Sequence, residues 1–475
     1  MESYDLLIVG GGINGTAIAR DAAGRGLRVL LVERDDLAQH TSSASSKLIH
    51  GGLRYLEYYE FRLVREGLRE RERLLHTAPH IVRPLRFVLP LGEGSRPAWM
   101  IRAGLTLYDL LGFGGSLPRS KRAKDEAACA PLRDGLRLFS YWDAKVDDAR
   151  LGVLNAADAA RRGATILTRT ELIAASRAGD AWRARLGDGR EIEARAIVNA
   201  AGPWVAEVLG HRLRENAQSR VRLIKGSHIV VPRLFEGNHA YILQQPDGRV
   251  VFAIAYEEKF TLIGTTDVPV ERPDEAAITP DEEEYLRSAA SRYFQRPVGE
   301  IVWGYSGVRA LYDDGAADAK AVTRDYRLEL DGDPGAPLLS VFGGKITTAR
   351  ALAEEALEKL DVAGKPWTAK AALPGGEDFD AFSRDFASRY GWLGEARTRR
   401  LLRAYGSRAE QVLAGARSPG DLGRDFGAGL TEAEIGYLRE QEFARTADDI
   451  LWRRTKLGLQ MSEAERDAVR EFVGA

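Results

Sequence analysis

The amino-acid sequence predicts an α/β protein with three parts: a discontinuous domain built on a parallel sheet, an antiparallel-sheet domain inserted into it, and a C-terminal helical domain. Three observations support this class. The N-terminal segment alternates strand, tight turn, helix and strand; the segment after Val221 has short strands separated by turns; and the segment after Pro374 has a helical pattern. A chain of 475 residues is long enough for two or three such domains.

The first elements form a βαβ unit. An apolar strand is expected over residues 6–9, a helix over 16–25 and a second strand over 29–32. An arginine-rich helix over 55–75 follows, and a mixed region with glycine and proline breaks extends to Leu138. We interpret this mixed region as an insertion.

The α/β pattern then returns and is interrupted once more. A helix is expected over 151–162, a strand over 196–199, a second strand over 338–342 and a helix over 347–360. The strands of the inserted domain are expected over residues 226–231, 241–244, 250–256 and 260–264. The predicted boundaries are residues 1–70, 145–205 and 320–365 for the first domain, 71–144 and 206–319 for the inserted domain, and 370–475 for the helical domain.

Composition excludes several classes of protein. A net charge of −1 provides no broad basic face for nucleic acid. The single cysteine, Cys129, has no partner for a disulfide, a redox pair or a thiolate metal site, so we predict a reducing compartment, a redox cofactor and no metal. The acidic N-terminus does not resemble a signal peptide, and no apolar stretch reaches about 18 residues, so a soluble or peripheral protein is expected.

A glycine-rich turn predicts a dinucleotide site. Residues Gly10-Gly11-Gly12-Ile13-Asn14-Gly15 match G-x-G-x-x-G between the first strand and the first helix. Gly10 and Gly12 allow the backbone to approach a pyrophosphate, whose charge the helix N-terminus favours, and Gly15 allows the helix to pack on the strand. Glu33 ends the second strand, where a carboxylate binds an adenosine ribose. The first domain is therefore expected to be Rossmann-like.

The following segment indicates which dinucleotide binds. The run Thr41-Ser42-Ser43-Ala44-Ser45-Ser46-Lys47 is rich in hydroxyls and leads through Leu48 to His50-Gly51-Gly52. Taken alone, this run is typical of a solvated loop. Beside a dinucleotide site, its hydroxyls and glycines are able to lie along the phosphates and the flavin edge. Because only one glycine fingerprint occurs, we predict one dinucleotide, FAD.

This run and six further motifs carry a family resemblance. The motifs are Ser45 to Glu57, Lys225-Gly226-Ser227-His228, Gly264-Thr265-Thr266-Asp267, Tyr305-Ser306-Gly307-Val308-Arg309, Thr323-Arg324-Asp325-Tyr326, Gly343-Gly344-Lys345-Ile346-Thr347-Thr348 and Ala447 to Lys456. In this order they resemble the FAD-dependent glycerol-3-phosphate dehydrogenases nearly end to end. The sequence shows no long extra insertion like the one shared by the oxygen-using glycerophosphate oxidases, which favours a quinone as electron acceptor.

The resemblance implies a reaction, a location and a set of cofactor residues. The reaction is oxidation of sn-glycerol 3-phosphate to dihydroxyacetone phosphate, with hydride transfer to N5 of FAD and electrons passed to a membrane quinone. The implied enzyme is cytoplasmic and peripheral on the inner face of the cytoplasmic membrane, and a homodimer is compatible with it. The expected cofactor-binding residues are Gly10, Gly12, Ile13, Asn14, Gly15, Glu33, Thr41, Ser42, Ser46, Lys47, Leu48, His50, Gly51, Gly52, Ala201, Gly202, Gly344, Lys345, Ile346 and Thr347.

A substrate dianion requires clustered cations. Arginine binds phosphate oxygens with a planar fork of donors, and Arg309 is the leading candidate, with Arg54 and Arg324 in support. Lys345 is one of only 12 lysines, against 56 arginines, and follows two glycines. Its ammonium is expected to bind the phosphate or the other substrate oxygens. A helix is expected to begin just after it, and the partial positive charge at the N-terminus of this helix favours the reduced flavin.

The catalytic residues are predicted to be His228, Lys345 and Arg309. Oxidation of an alcohol requires removal of the hydroxyl proton, and His228 is the candidate general base because it lies in a matched motif on an expected strand. Lys345 takes this role if His228 does not. The remaining expected substrate contacts are the hydroxyls of Tyr55, Thr265 and Thr266.

Two other functions are compatible with the same scaffold. An amine or amino-acid oxidase would need a carboxylate clamp and no preference for phosphate. A binding protein without a catalytic flavin, like the Rab-type dissociation inhibitors, would not need Glu33 or the hydroxyl run. Flavin-dependent RNA modification is disfavoured by the net charge of −1 and the single cysteine.

One further segment has two interpretations. Residues 98–113 are largely apolar, and the cations that follow within a short span are Arg119, Lys121, Arg122 and Lys124. The segment is either a peripheral helix that binds an anionic lipid surface or a buried helix of the inserted domain followed by an ordinary basic loop.

Overall fold

The computed structural model describes residues 1–92, 95–215, 220–313, 325–332 and 335–474. Its strands are, in chain order, β1 (Glu2–Val9), β2 (Val29–Val32), β3 (Leu48–Ile49), β4 (Val82–Leu91), β5 (Lys121–Arg122), β6 (Arg137–Val146), β7 (Thr165–Leu167), β8 (Leu172–Ala178), β9 (Ala181–Leu186), β10 (Glu191–Asn199), β11 (Arg220–Pro232), β12 (His239–Gln244), β13 (Val250–Tyr256), β14 (Phe260–Gly264), β15 (Val268–Pro269), β16 (Trp303–Asp313), β17 (Arg327–Asp331) and β18 (Leu338–Phe342).

The helices divide between the sheets and the C-terminal domain. They are α1 (Ile13–Gly24), α2 (Phe61–Thr77), α3 (Ala98–Leu111), α4 (Glu126–Cys129), α5 (Asp148–Arg161), α6 (Val205–Glu207), α7 (Pro280–Ser291), α8 (Ala349–Lys359), α9 (Phe379–Arg389), α10 (Glu395–Tyr405), α11 (Ala409–Leu413), α12 (Glu432–Gln441) and α13 (Glu463–Gly474).

The first sheet positions the glycine-rich turn. Its strands run in the order β17-β18-β10-β1-β2-β7, parallel from β18 to β7, with β17 antiparallel at one edge and the β8–β9 hairpin attached to β10. The central strands are apolar and buried because α1, α5 and α8 pack together over one face. The carboxyl ends of β1, β2 and β10 consequently meet at the start of α1.

The second sheet is mixed. Its order is β15-β11-β14-β13-β12-β4-β6-β3, with β16 paired to β11 and β5 paired to β6. All of these pairs are antiparallel except β12 with β4, which is parallel. The parallel pair arises because β4 comes from the early insertion, far from β12 in the sequence, and is not joined to it by a hairpin.

The predicted fold class is confirmed: a parallel α/β sheet, a second largely antiparallel sheet and a C-terminal helical domain are all present. The segment interpreted as a mixed insertion contains the long strand β4 and the first residues of β6, two strands that the sequence pattern did not resolve. Strand β3 lies inside the segment assigned to the first domain but pairs with β6 of the second sheet. The loop before β3 therefore joins the two sheets.

Buried ion pairs attach the helical domain to the first domain. Arg150 on α5 forms a bidentate pair with Glu442, with a shortest N–O distance of 2.7 Å and both side chains 1 % exposed. Arg454 pairs with Asp36, both fully buried, and Arg169 pairs with Asp449. Because breaking one member of such a buried pair strands the other charge, these contacts place the helical domain firmly against the first domain.

Candidate functional site

The glycines of the turn let backbone segments approach one another closely at the edge of the cavity. Gly10 has φ +110°, and a Cβ there would lie 2.6 Å from the carbonyl oxygen of Ala200 on the neighbouring strand end. A Cβ on Gly15 would lie 1.9 Å from the carbonyl oxygen of Gly10, so only glycine permits α1 to start this close to β1. The roles predicted for Gly10 and Gly15 match this geometry.

Glu33 is oriented by two backbone amides. Its Oε2 accepts a hydrogen bond from the Gly11 amide at 2.6 Å, and its Oε1 accepts one from the Asp35 amide at 2.9 Å. Burial raises the pKa of Glu33, while these amides and the nearby His40 oppose the shift. The carboxylate lies at the cavity wall with acceptor positions remaining, which suits the hydroxyls of a ribose.

The hydroxyl run forms a second wall. Ser42 Oγ accepts a hydrogen bond from the amide of Ile13, in the first turn of α1, at 3.0 Å. Thr41 Oγ1 donates to the carbonyl oxygen of Val308 at 2.6 Å, which ties the run to the second sheet. The Ser42 hydroxyl therefore lies at the N-terminus of α1, where a pyrophosphate is favoured.

The contacts of Asn14 and Gly344 indicate whether the site fits a bound cofactor. Asn14 Nδ2 donates to the carbonyl oxygen of Gly343 at 3.1 Å, whereas its buried Oδ1 has no partner within the described chain. Gly344 has φ +102°, and a Cβ there would lie 2.6 Å from Asn14 Nδ2. A buried acceptor without a donor, next to a glycine where any side chain would collide, is consistent with a ligand that lies against both residues.

One cavity gathers most of the predicted cofactor residues. Those that line it are Gly10, Gly12, Ile13, Asn14, Glu33, Thr41, Ser42, Ser46, Leu48, His50, Ala201, Gly202, Gly344, Lys345, Ile346 and Thr347. Gly15, Gly51 and Gly52 lie behind this lining, where they allow close packing of the chain. Gly51, for example, would place a Cβ 2.7 Å from the Leu68 side chain.

The position of Lys47 requires a correction. Its ammonium is bonded to both carboxylate oxygens of Asp148 at 2.9 Å and to the carbonyl oxygen of Ser43 at 2.8 Å, and it does not line the cavity. The reason is a backbone φ of +58° at Lys47, which directs the side chain toward α5. Lys47 therefore acts on the loop that carries the site, through Asp148.

Two of the predicted substrate cations line the cavity. Arg309, on β16, and Lys345, at the end of β18, both line it, as does Tyr55. Lys345 Nζ lies 4.5 Å from the centre of the Tyr55 ring, a favourable cation–π distance. Arg309 contacts Asp267 and the carbonyl oxygen of Thr266. The cations approach from two sheets, so the fold brings together what is distant in the sequence.

The two threonines differ, although the sequence did not separate them. Thr265 Oγ1 and Arg309 Nη2 lie 2.7 and 3.3 Å from the position of a Cβ on Gly226, so only glycine lets both side chains pack this closely against the backbone. Thr266 is buried; its hydroxyl donates to Glu282 at 2.8 Å and accepts from the Ser227 amide at 3.0 Å. Thr266 is therefore a structural residue, which corrects its assignment as a substrate contact.

The substrate role predicted for Arg54 stays a prediction. Its guanidinium donates to the carbonyl oxygen of Gly248 in the β12–β13 turn at 3.0 Å, and it does not line the cavity. A tight helical turn over Leu53–Tyr58, which starts at Gly52 with φ +79°, places Tyr55 toward the cavity and Arg54 away from it. Arg324 lies outside the described residues.

His228 lies behind the cavity wall. It is 3 % exposed on β11, its ring stacks on Tyr305 at 4.9 Å, and its Nε2 forms a hydrogen bond with Ser46 Oγ at 2.8 Å. Burial, followed by the charges of Lys47 and Arg309, lowers the pKa of His228 to about 3, so the ring is neutral near pH 7. Ser46 lines the cavity and His228 does not, so His228 reaches the site through this hydroxyl.

Sequence reasoning missed one group of lining residues near Glu33. Arg34, His40 and Trp204 all line the cavity, and Trp204 lies 4.3 Å below the Arg34 guanidinium and 4.6 Å from the His40 ring. The available signal was the Pro203-Trp204 pair directly after Ala201-Gly202, an aromatic residue at a strand end.

Comparison with known proteins matches this architecture. Residues 5–356 match the family model "FAD dependent oxidoreductase", and residues 366–474 match "C-terminal domain of alpha-glycerophosphate oxidase". A glycerol-3-phosphate dehydrogenase of Pseudomonas aeruginosa is 51 % identical, covering 99 % of this chain and 95 % of that protein. A D-erythritol 1-phosphate dehydrogenase of Brucella abortus is 49 % identical, covering 99 % and 98 %.

A solved structure agrees with these relatives. The glycerol-3-phosphate dehydrogenase of Bacillus halodurans, complexed with FAD, superposes with a TM-score of 0.74 at 26 % identity, covering 99 % of this chain and 94 % of that chain. The glycine turn, the oriented Glu33 and the bordering hydroxyls fit such a dinucleotide. The chain therefore belongs to the family of FAD-dependent glycerol-3-phosphate dehydrogenases, as its motifs predict, and FAD is its cofactor.

Proposed function

We propose that the chain oxidises sn-glycerol 3-phosphate to dihydroxyacetone phosphate at the FAD site and passes the electrons to a membrane quinone. One observation carries this proposal: Arg309 and Lys345 line the same cavity as the cofactor residues. A guanidinium and an ammonium in one cavity suit a phosphate dianion, whereas an amine oxidase would need a site for a neutral or zwitterionic amine.

Arg309 is able to exchange its partner for substrate phosphate. Its guanidinium pairs with Asp267, but the two side chains are 36 % and 40 % exposed, so water screens the pair and little free energy is lost when it opens. The Thr265 hydroxyl packs beside the same guanidinium over Gly226. We infer that the phosphate binds the donors of Arg309 that face the cavity, with Lys345, held beside the Tyr55 ring, as the second cation.

The chain also supplies a route for the substrate proton. Bound FAD accepts a hydride, with its electron pair, at N5. The hydroxyl proton is proposed to pass from the substrate to Ser46 and from Ser46 to His228 Nε2. A dianion bound at Arg309 offsets one of the charges that lower the pKa of His228, so His228 becomes a stronger base when substrate is present.

A second substrate is a specific candidate. The relative from Brucella abortus is named for D-erythritol 1-phosphate, a longer polyol phosphate, and its identity of 49 % is close to the 51 % of the glycerol-3-phosphate enzyme. Both substrates offer a phosphate and an adjacent secondary alcohol, so the Arg309 and Lys345 cations suit either. The two substrates differ in the length of the carbon chain and not in charge.

The first prediction identifies the substrate. Without air, glycerol 3-phosphate is expected to bleach the flavin absorbance of the purified protein, whereas glycerol and L-amino acids are not, because the cations select the phosphate. Stopped-flow absorbance with each compound, and with D-erythritol 1-phosphate, measures this preference. Faster reduction by the erythritol ester would reassign the substrate, and bleaching by an amino acid would exclude the phosphate site.

The second prediction concerns the phosphate contact. Arg309→Lys is expected to raise the KM for glycerol 3-phosphate by about 10-fold or more, because a point charge does not replace a two-donor fork. Steady-state kinetics with FAD content matched between the variants measure the change. Arg54→Lys is the control, since Arg54 lies off the cavity; equal KM values for Arg309→Lys and the wild type would remove Arg309 from the phosphate site.

The third prediction concerns the base. His228→Gln is expected to slow flavin reduction by about 10²-fold while FAD stays bound, as loss of a general base does. The pKa of His228 is lowered from 6.5 to about 3, so His228 stays neutral as the pH falls through 6.5. Protonation of His228 is therefore not expected to lower kcat/KM of the wild type in that pH range. His50→Gln is the comparison, because His50 lines the cavity directly. If His228→Gln reduces its flavin as fast as the wild type, Lys345 becomes the candidate base.

The proposed quinone contact requires a surface that meets lipid. None of the described helices is both long and apolar enough to cross a membrane. Helix α3 buries only Leu105 and Tyr108. Trp99, Leu110 and Phe113 are 72 %, 63 % and 76 % exposed, which supports the peripheral-helix interpretation over the buried one.

Neighbouring residues extend this surface. Tyr58, Tyr59 and Phe61, at the start of α2 and the turn before it, are also exposed large hydrophobic residues, and that turn contacts α3. The cations Arg119, Lys121, Arg122 and Lys124 are exposed, and the Arg119 guanidinium lies 5.8 Å from the Phe113 ring. An apolar face bordered by cations suits an anionic lipid surface.

The fourth prediction tests this surface. Changing Arg119, Lys121, Arg122 and Lys124 together to Glu is expected to reduce sedimentation with anionic vesicles and quinone turnover, because each cation contributes about 1 kcal/mol at the lipid surface. Flavin reduction by substrate is expected to be unchanged. In a matched control, four exposed arginines outside this surface are changed to Glu: Arg183, Arg185, Arg195 and Arg296. Unchanged vesicle binding by the first variant at low salt would contradict the placement.

A further inference from the structure

A second cavity lies between the second sheet and the C-terminal helical domain. Its volume is about 640 Å³, within the range of small-molecule sites, and its lining comes from β4, β6 and β13 on one side and from α10 and residues 454–460 on the other. It shares no lining residue with the cofactor cavity. The two cavities are nevertheless linked by Lys47, which lines the second cavity and holds the cofactor loop through Asp148.

Two cations face each other across this cavity's floor. Arg83 on β4 and Lys145 on β6 are directly opposite in the antiparallel pairing, and both line the cavity. Residues directly opposite on neighbouring strands project from the same face, with Cβ atoms about 5 Å apart, and like charges in this position destabilise the sheet. A protein that keeps this pair requires a compensating negative charge.

Carboxylates near this cavity act on the two cations only at a distance, and none of the described acids forms an ion pair with either of them. No hydrogen bond or ion pair in the described part of the chain involves the Lys145 ammonium or the Arg83 guanidinium, and Arg83 Nε is buried without an acceptor. Of the acids around the cavity, Asp147 pairs with Lys456, and Glu258 is shared between Arg399 and Arg403. Glu257 acts on both cations at a distance but forms no ion pair with either among the described residues.

The pKa values of both cations are lowered. Burial, then Arg83 and Arg403, lowers the pKa of Lys145 to about 7. Burial, then Arg403, lowers the pKa of Arg83 to about 10. The cavity thus disfavours its own positive charges, which a bound anion would stabilise.

We propose that this cavity binds a multivalent phosphate group, free or carried by a small metabolite, between Arg83, Lys145 and Arg403. The fork of a guanidinium and the point charge of an ammonium together suit phosphate oxygens. Arg403 belongs to α10 and the other two to the second sheet, so the bound group links the helical domain to that sheet. The site is separate from the substrate phosphate site at Arg309.

The test uses thermal unfolding of the FAD-loaded protein with inorganic pyrophosphate at constant ionic strength. Pyrophosphate is expected to raise the Tm of the wild type and of Arg309→Gln, because binding to the folded state stabilises it. Without anion, Lys145→Met is expected to have a higher Tm than the wild type, since it removes an uncompensated cation. Its affinity for pyrophosphate at this cavity, measured by calorimetry, is expected to fall by about 10-fold or more. Arg195→Gln, at an exposed position, is the matched control.

Other probes separate the sources of the group. Inorganic phosphate, pyrophosphate and a phosphate monoester are compared: stronger binding of the monoester indicates a metabolite, and stronger binding of pyrophosphate indicates an inorganic ligand. Arg83→Gln provides the same comparison if Lys145→Met does not fold. The proposal is overturned if pyrophosphate stabilises the foldable variant as much as the wild type, or if malonate, a dicarboxylate of similar charge, is as effective as pyrophosphate.

Discussion

The buried carboxylate of Asp148 is the interaction on which the site depends. It is fully buried at the start of α5, and it accepts hydrogen bonds from Ser45 Oγ at 2.8 Å and from Lys47 Nζ at 2.9 Å. The loop held in this way carries Ser42, Ser46, Leu48 and His50 to the cavity wall. Because removal of one member of a buried charge pair leaves the other uncompensated, the loop has one strongly favoured position relative to the first sheet. The second sheet adds a further tie, since the Tyr305 hydroxyl donates to the carbonyl oxygen of Ser45 at 2.8 Å.

The dinucleotide end was predictable because its determinants are local. The strand, glycine turn and helix from Glu2 to Gly24, and the carboxylate of Glu33 after the next strand, lie within a short stretch whose geometry follows from backbone sterics. The substrate end was predictable only in part. Arg309 and Lys345 are brought together by two sheets, and the motif resemblance placed them correctly at the cavity, but it assigned the same role to Arg54 and Thr266. Their actual contacts depend on a hairpin carbonyl and on Glu282, both distant in the sequence. The opposition of Arg83 and Lys145 was not predictable, because their register follows from pairing of strands more than 50 residues apart.

The proposed lipid-facing helix is mechanically joined to the cofactor loop. Tyr108, one of the two buried residues of α3, accepts a hydrogen bond from the Gly51 amide at 2.9 Å and donates to Asp143, which also pairs with Arg71. These groups are buried, so each of their hydrogen bonds is costly to leave unmade. A displacement of α3 at a surface therefore acts on the backbone between His50 and Gly52, at the edge of the cavity. This connection gives the proposed quinone-binding surface a physical path to the cofactor cavity.

The two cavities use cations in different ways, and pairing explains the difference. At Arg309 the cation has a carboxylate partner, Asp267, and both side chains are partly exposed, so the proposed substrate phosphate replaces that partner at little cost. Arg83 and Lys145 are also partly exposed, but they lie directly opposite each other and form no ion pair with a described residue. The proposed anion at this second cavity therefore displaces no carboxylate and relieves the repulsion between two like charges.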